Sequence, residues 1–157
     1  MKSGFSRHVL LAIATLLGIG NAGVAAAHNQ GGALGKSSTA ADIYEVACSN
    51  DSNGSPAALE ARIKDIAPVA PPLVTVQIQK NSVTVTSADS VDGDRKFSPL
   101  VGNSGGEGVY IVTVSKTVTP GKPVKRLAYK EIYLLEYHCV TASDAHTGTE
   151  IGQKQNQ

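Results

Sequence analysis

"SPAALEARIKDI", residues 55–66, admits two readings, and the fold class turns on the choice. As a helix, Ser55 is an N-cap, Pro56 takes the first helical position, and Leu59, Ile63 and Ile66 share one face, with Glu60 and Lys64 at ion-pair spacing. As a strand, Leu59, Ala61 and Ile63 point inward while Glu60, Arg62 and Lys64 point outward. Local signals favour the helix. The surrounding segments favour the strand.

Those segments alternate with period two. "ADIYEVAC" (41–48) puts Tyr44, Val46 and Cys48 on one face. "LVTVQIQK" (73–80) sets Val74, Val76 and Ile78 against Thr75, Gln77 and Gln79, and "VTVTS" (83–87) repeats the alternation after a short turn, which reads as a hairpin. "VYIVTVSK" (109–116) starts apolar on both faces, as a central strand would. "EIYLLEYHC" (131–139) separates Tyr133, Leu135, Tyr137 and Cys139 from Ile132, Leu134, Glu136 and His138. Short, β-branched segments bounded by Gly, Pro, Asn, Asp or Ser predict an all-β, antiparallel β-sandwich of jelly-roll-like form, with one short helix over 56–66 as the open alternative.

The first 27 residues read as an export signal. Lys2 and Arg7 precede the apolar run "VLLAIATLLGIGNAGV", and Ala25, Ala26 and Ala27 supply the small residues of a cleavage site. Removing Lys2 and Arg7 from the 14 basic residues leaves 12 against 13 acidic ones, a net charge of −1. That balance gives no global attraction for nucleic acid. The densest basic stretch, with Lys116, Lys122, Lys125, Arg126 and Lys130 around a Pro/Gly turn, reads as a solvated hairpin loop. The expected organisation is a flexible segment over 28–40, a sandwich over 41–141 and a flexible tail over 142–157. Its expected setting is periplasmic or secreted, with no stable membrane insertion once the signal is cleaved.

Two cysteines, Cys48 and Cys139, lie near opposite ends of the folded segment. In an oxidising compartment such a pair is most simply one disulfide, stapling the first of these strands to the last. The order "ADIYEVAC", "ADSVDGDRKFSPLV", "GEGVYIVTVSK", "YLLEYHC" resembles the bacterial pre-peptidase C-terminal type of β-sandwich. Gly108, Tyr110, Val112 and Val114 match its late strand, and Tyr133, Leu135 and Tyr137 its final one. The resemblance covers about residues 41–139. It implies the sandwich fold and carries no catalytic residue.

Three chemistries remain to be weighed. In "DSVDGDRKF" (89–97), Asp89, Asp92 and Asp94 surround Gly93, offering hard oxygen ligands of the kind calcium takes, or else a solvated turn neutralised by Arg95 and Lys96. If cleavage exposes His28, its amine and imidazole with His138 or His146 form a candidate copper or zinc site. His138 and Cys139 point to opposite faces of a regular strand and cannot share a metal. Catalysis has the thinnest support: Ser98 lacks a nucleophile-elbow context, and no phosphate loop or carboxylate pair stands out. The sequence thus predicts an exported, non-catalytic binding or structural module with no required cofactor, calcium and copper being the candidate ions. Its partner is expected to be a protein or cell-envelope ligand, and the alternative function is periplasmic metal binding.

Overall fold

Residues 58–67 form a strand, β3 (Ala58–Ala67), in the computed structural model, which describes residues 28–117 and 129–157. No helix occurs among the described residues, so the helix considered over 56–66 is corrected. The reason lies in what each conformation buries. In the strand, Leu59, Ala61 and Ile63 are completely buried, while Ile66, which the helical face required, is 45% exposed. Full burial of a Leu or Ile side chain is worth about 1.5–3 kcal/mol over exposure, more than the few tenths that helix propensity adds at a residue. The strand also pairs its backbone on both sides, with β8 (Glu131–Val140) and with β6 (Val101–Asn103).

The other strands are β1 (His28–Leu34), β2 (Ala41–Ser49), β4 (Leu73–Lys80), β5 (Val83–Ala88), β7 (Gly108–Thr117) and β9 (His146–Gln155). All pairings are antiparallel. One layer holds β1, β8, β3 and β6; the other runs β5, β4, β7, β2, β9. β9 links them. Its first residues pair with β8 through Cys139↔Thr147 and Val140↔His146, and it then follows β2 from Gly148 onward. Gly148 stands at this crossing because a Cβ there would lie 2.4 Å from the Ser49 hydroxyl oxygen. The two layers therefore form one sheet of nine strands among the described residues, nearly closed on itself.

Between the layers lie the inward side chains of β2, β3, β4, β7 and β8, including Tyr44, Ile63, Ile78, Tyr110, Tyr133 and Leu135. The disulfide joins Cys48 to Cys139 across the layers, with Cα atoms 5.6 Å apart, within the range a disulfide requires. It ties β2 to β8, which are neither the first nor the last strand, because both ends of the chain add one more. Residues expected in a flexible leading segment form β1 on β8, and the expected tail forms β9 on β2. Both are poor in apolar residues. Their order comes from main-chain ladders, which hydropathy does not register. The proposed signal segment and Lys122, Lys125 and Arg126 lie outside the described residues. Among the described residues, no helix is long and apolar enough to cross a membrane.

Candidate functional site

Three inward positions carry carboxylates where alternation would place apolar side chains. Asp42 continues the buried face of β2, Asp65 that of β3, and Glu131 that of β8; their residue exposures are 0%, 2% and 0%. All three fall at the same end of the sandwich, where β2 and β8 begin and β3 ends. The connection from β5 to β6 adds Asp89, which is buried, and Asp92. This acidic pole lies opposite the disulfide.

Asp42 is satisfied. It accepts hydrogen bonds from the Tyr133 hydroxyl at 2.5 Å and the Gln157 amide at 2.8 Å, and the Tyr44 and Tyr133 hydroxyl oxygens are 2.6 Å apart. Tyr133 reaches this position across Gly32, where a Cβ would meet its hydroxyl at 2.2 Å. Asp89 is also engaged: one carboxylate oxygen accepts from the Asp65 amide at 2.8 Å and the other from the Val91 amide at 3.3 Å. That pair of bonds fixes the loop against the end of β3.

Asp65, Asp92 and Glu131 differ. Both carboxylate oxygens of each are buried without a hydrogen-bond partner. Burial raises the Asp65 carboxyl to about 7, with the nearby charges of Asp92 and Asp89 adding to the effect and the Ile66 amide opposing it. Burial likewise raises Glu131 to about 8; Asp65 adds to the rise, while the Lys116 ammonium opposes it. Asp92 is raised by burial and by Asp89. Lys116 itself donates to the carbonyls of Gly35, Ser37 and Tyr129. A cleft of about 450 Å³ opens beside the group, lined by Lys64, Asp65, Ile66, Val69, Gly93 and Arg95. Gly93 has φ 76°, and a Cβ there would stand 2.6 Å from a Val69 methyl, so the loop can turn over the cleft only with glycine at this position.

Of the three loop carboxylates expected to act together, the structure gathers Asp89 and Asp92 and leaves out Asp94. Asp94 instead accepts from the Lys96 amide at 2.8 Å and approaches its ammonium at 3.9 Å. Asp65 and Glu131, not Asp94, lie close enough to Asp92 to feel its charge. Both carry a signal in the sequence, since each occupies the inward parity of its strand, a signal that the apolar pattern alone does not register. Among the described residues, no group of three His, Cys, Asp or Glu side chains is placed to hold a metal ion.

The histidines divide across one sheet. His28 pairs with Tyr137 in register and its ring lies 5.7 Å from the Tyr137 ring, on the inward parity of β8. His138 and His146 occupy the other parity and stack, with centroids 4.2 Å apart and planes 18° apart. The expected chelate of His28 with either is therefore not assembled, because the sheet lies between them. Stacked rings also direct their nitrogen lone pairs side by side instead of toward one point. His138 Nε2 lies 3.1 Å from Glu60, and burial with the adjacent His146 lowers its pKa against the opposing pull of Glu60 and Glu136. Ser98 serves the fold: its hydroxyl accepts from the Ile63 amide at 3.0 Å and donates to the Pro99 carbonyl at 3.3 Å.

Neither the family models, the curated proteins nor the solved structures contain a match to this chain.

Proposed function

We propose that this protein is an exported, non-catalytic binding module whose acidic pole receives a positively charged ligand. The observation that carries the reading is the pair Asp65 and Glu131, fully inside the sandwich with four carboxylate oxygens lacking any hydrogen-bond partner. An unpaired carboxylate withdrawn from water costs several kcal/mol when ionised, so a fold gains nothing from keeping two of them side by side for its own stability. A cation would supply the missing partner. The cleft that reaches Asp65 provides an approach, and the Cys48–Cys139 bond supports export, since disulfides persist in oxidising compartments.

Thermal melting of the mature chain at pH 8 with calcium, magnesium, spermidine and a lysine-rich peptide tests this reading. At least one of these cations is expected to raise the wild-type midpoint and to leave the Asp65→Asn, Glu131→Gln double variant unmoved. A wild-type midpoint indifferent to all four would sink the proposal.

A further inference from the structure

We infer that the stacked pair His138 and His146 is an acid-sensitive clasp, holding β9 against β8 at neutral pH and releasing that crossing in acid. The clasp lies at the opposite end of the sandwich from the carboxylates and does not depend on the cation-binding reading. Its position in the fold gives it leverage. Among the described residues, the two layers share backbone pairing only where β9 leaves β8, through Cys139↔Thr147 and Val140↔His146. His146 belongs to one of those two pairs, and His138 lies two residues before Val140 on the same outward face. The rings therefore stack diagonally across the ladder, with centroids 4.2 Å apart. On the inward face of the same corner lies the Cys48–Cys139 bond.

The arrangement accommodates neutral rings and not charged ones. Glu60 is the register partner of His138, and its carboxylate, 3.1 Å from Nε2, can only accept, so Nε2 carries the proton and Nδ1 is left as a bare acceptor. Nδ1 is buried without a hydrogen-bond partner. A second proton on this ring must go there, where it becomes a buried donor facing no acceptor. The surroundings divide over that charge. Burial and His146 on β9 oppose it, while Glu60 on β3 and Glu136 on β8 favour it. Glu136 is already paired with Arg62 of β3, whose guanidinium approaches to 2.7 Å, so its charge is largely balanced. The net effect holds the His138 pKa below its ordinary 6.5. Because the unfolded chain then binds the proton more readily, the stability this ring contributes is fully present above pH 6.5 and is lost as the pH falls below it. Protonating both rings adds like charges at stacking distance, and only separation relieves them. Separation undoes the Val140↔His146 pairing, whereas the disulfide keeps β2 on β8 and β9 keeps its ladder with β2 from Gly148 onward. Acid thus loosens the corner over 141–147 and leaves the sandwich standing.

Amide hydrogen exchange on the disulfide-intact chain tests the clasp. The Cys139 amide donates to the Thr149 hydroxyl at 3.0 Å and the Thr141 amide to the Ala145 carbonyl at 2.9 Å, so both report on the crossing. Ile78 and Val112, register partners in the β4–β7 ladder, report on the core. From about pH 7.5 to about pH 5, protection factors at Cys139 and Thr141 are expected to fall about tenfold or more. Those at Ile78 and Val112 should hold or rise, since Asp65 and Glu131 act on global stability in the opposite sense. His138→Gln keeps a donor for Glu60 but does not titrate, and its crossing should show no fall. His146→Phe keeps a stacked ring without its proton, so the His138 ring, followed by NMR through its carbon-bound protons, should titrate closer to 6.5 and the loss at Cys139 and Thr141 should shrink. Protection at the crossing that is unchanged by acid in wild type overturns the inference. An equal fall at core and crossing overturns it too, because acid would then be unfolding the whole sandwich, as does an undiminished fall in His138→Gln. If that variant does not fold, His146→Phe decides: a His138 titration unmoved from wild type removes the clasp.

Discussion

Burial carries the carboxyl of Asp65 from an ordinary 3.8 to about 7 and that of Glu131 from 4.5 to about 8, so the folded chain holds both protons more tightly than the unfolded chain does. The stability they contribute is fully present below about pH 4 and is lost as the pH rises through 7 and 8, on the order of 1 kcal/mol per group per pH unit. Asp92 and Asp89 extend the loss at Asp65 to higher pH, and Lys116 shortens it at Glu131. The difference in melting midpoint between wild type and the Asp65→Asn, Glu131→Gln variant isolates this effect, because His138 at the other end is common to both. Without added metal, wild type is expected to lose ground relative to the variant from about pH 4 to pH 8 and to level off above that. A constant difference would mean that the two carboxyls do not titrate in this range. These residues were half legible in the sequence. Their positions follow from strand alternation, but alternation does not say that the ends of β3 and β8 converge with a loop 24 residues after Asp65 in the Asp65–Asp89 hydrogen bond. Asp94, two residues after Asp92 in sequence, is drawn instead into a local turn with Lys96.

At the scale of elements, β3 is the instructive case. Its residues satisfy a helix locally, with a cap, a first-turn proline and an ion-pair spacing, yet the chain forms a strand because β8 and β6 offer partners on both edges. Tertiary pairing outweighs local propensity here. The two conformations make opposite demands on two isoleucines: the helix would bury Ile63 and Ile66 alike, whereas the strand buries Ile63 and exposes Ile66. Ile63→Ala is therefore expected to cost about 2–5 kcal/mol in denaturant unfolding, and Ile66→Ala within about 0.5 kcal/mol. Equal losses at the two positions would contradict the strand. The strands rich in β-branched and aromatic residues were legible because a half-buried pleat demands that pattern. β1 and β9 were not, since "HNQGGAL" and "HTGTEIGQKQ" contribute ladders more than core, and only Leu34 and Ile151 among their large apolar side chains join or pack against the cluster.

Across the whole molecule, the disulfide and the carboxylates occupy opposite ends of one sandwich, and that separation has a thermodynamic consequence. Cys48 and Cys139 are 91 residues apart, so on the chain-entropy model their bond stabilises the fold by about 4–5 kcal/mol, acting chiefly on the unfolded chain. A cation at the acidic pole would act on the folded state alone. Sites that are distant and share no side-chain partner contribute nearly additively. Between them runs the core of Tyr44, Ile63, Tyr133 and Leu135, and β2 and β8 each reach from one end to the other, carrying Asp42 with Cys48 and Glu131 with Cys139. The Cys48→Ala, Cys139→Ala variant is accordingly expected to melt well below wild type but, wherever it remains folded, to be stabilised as much as wild type by whichever cation raises the wild-type midpoint, to within about 0.5 kcal/mol. Measuring both proteins at one pH and one concentration of that cation checks this. If the cation-dependent stabilisation disappeared in a folded, disulfide-free chain, the staple at one end would be holding the carboxylates in place at the other, and the two ends would be a single cooperative unit instead of two additive ones.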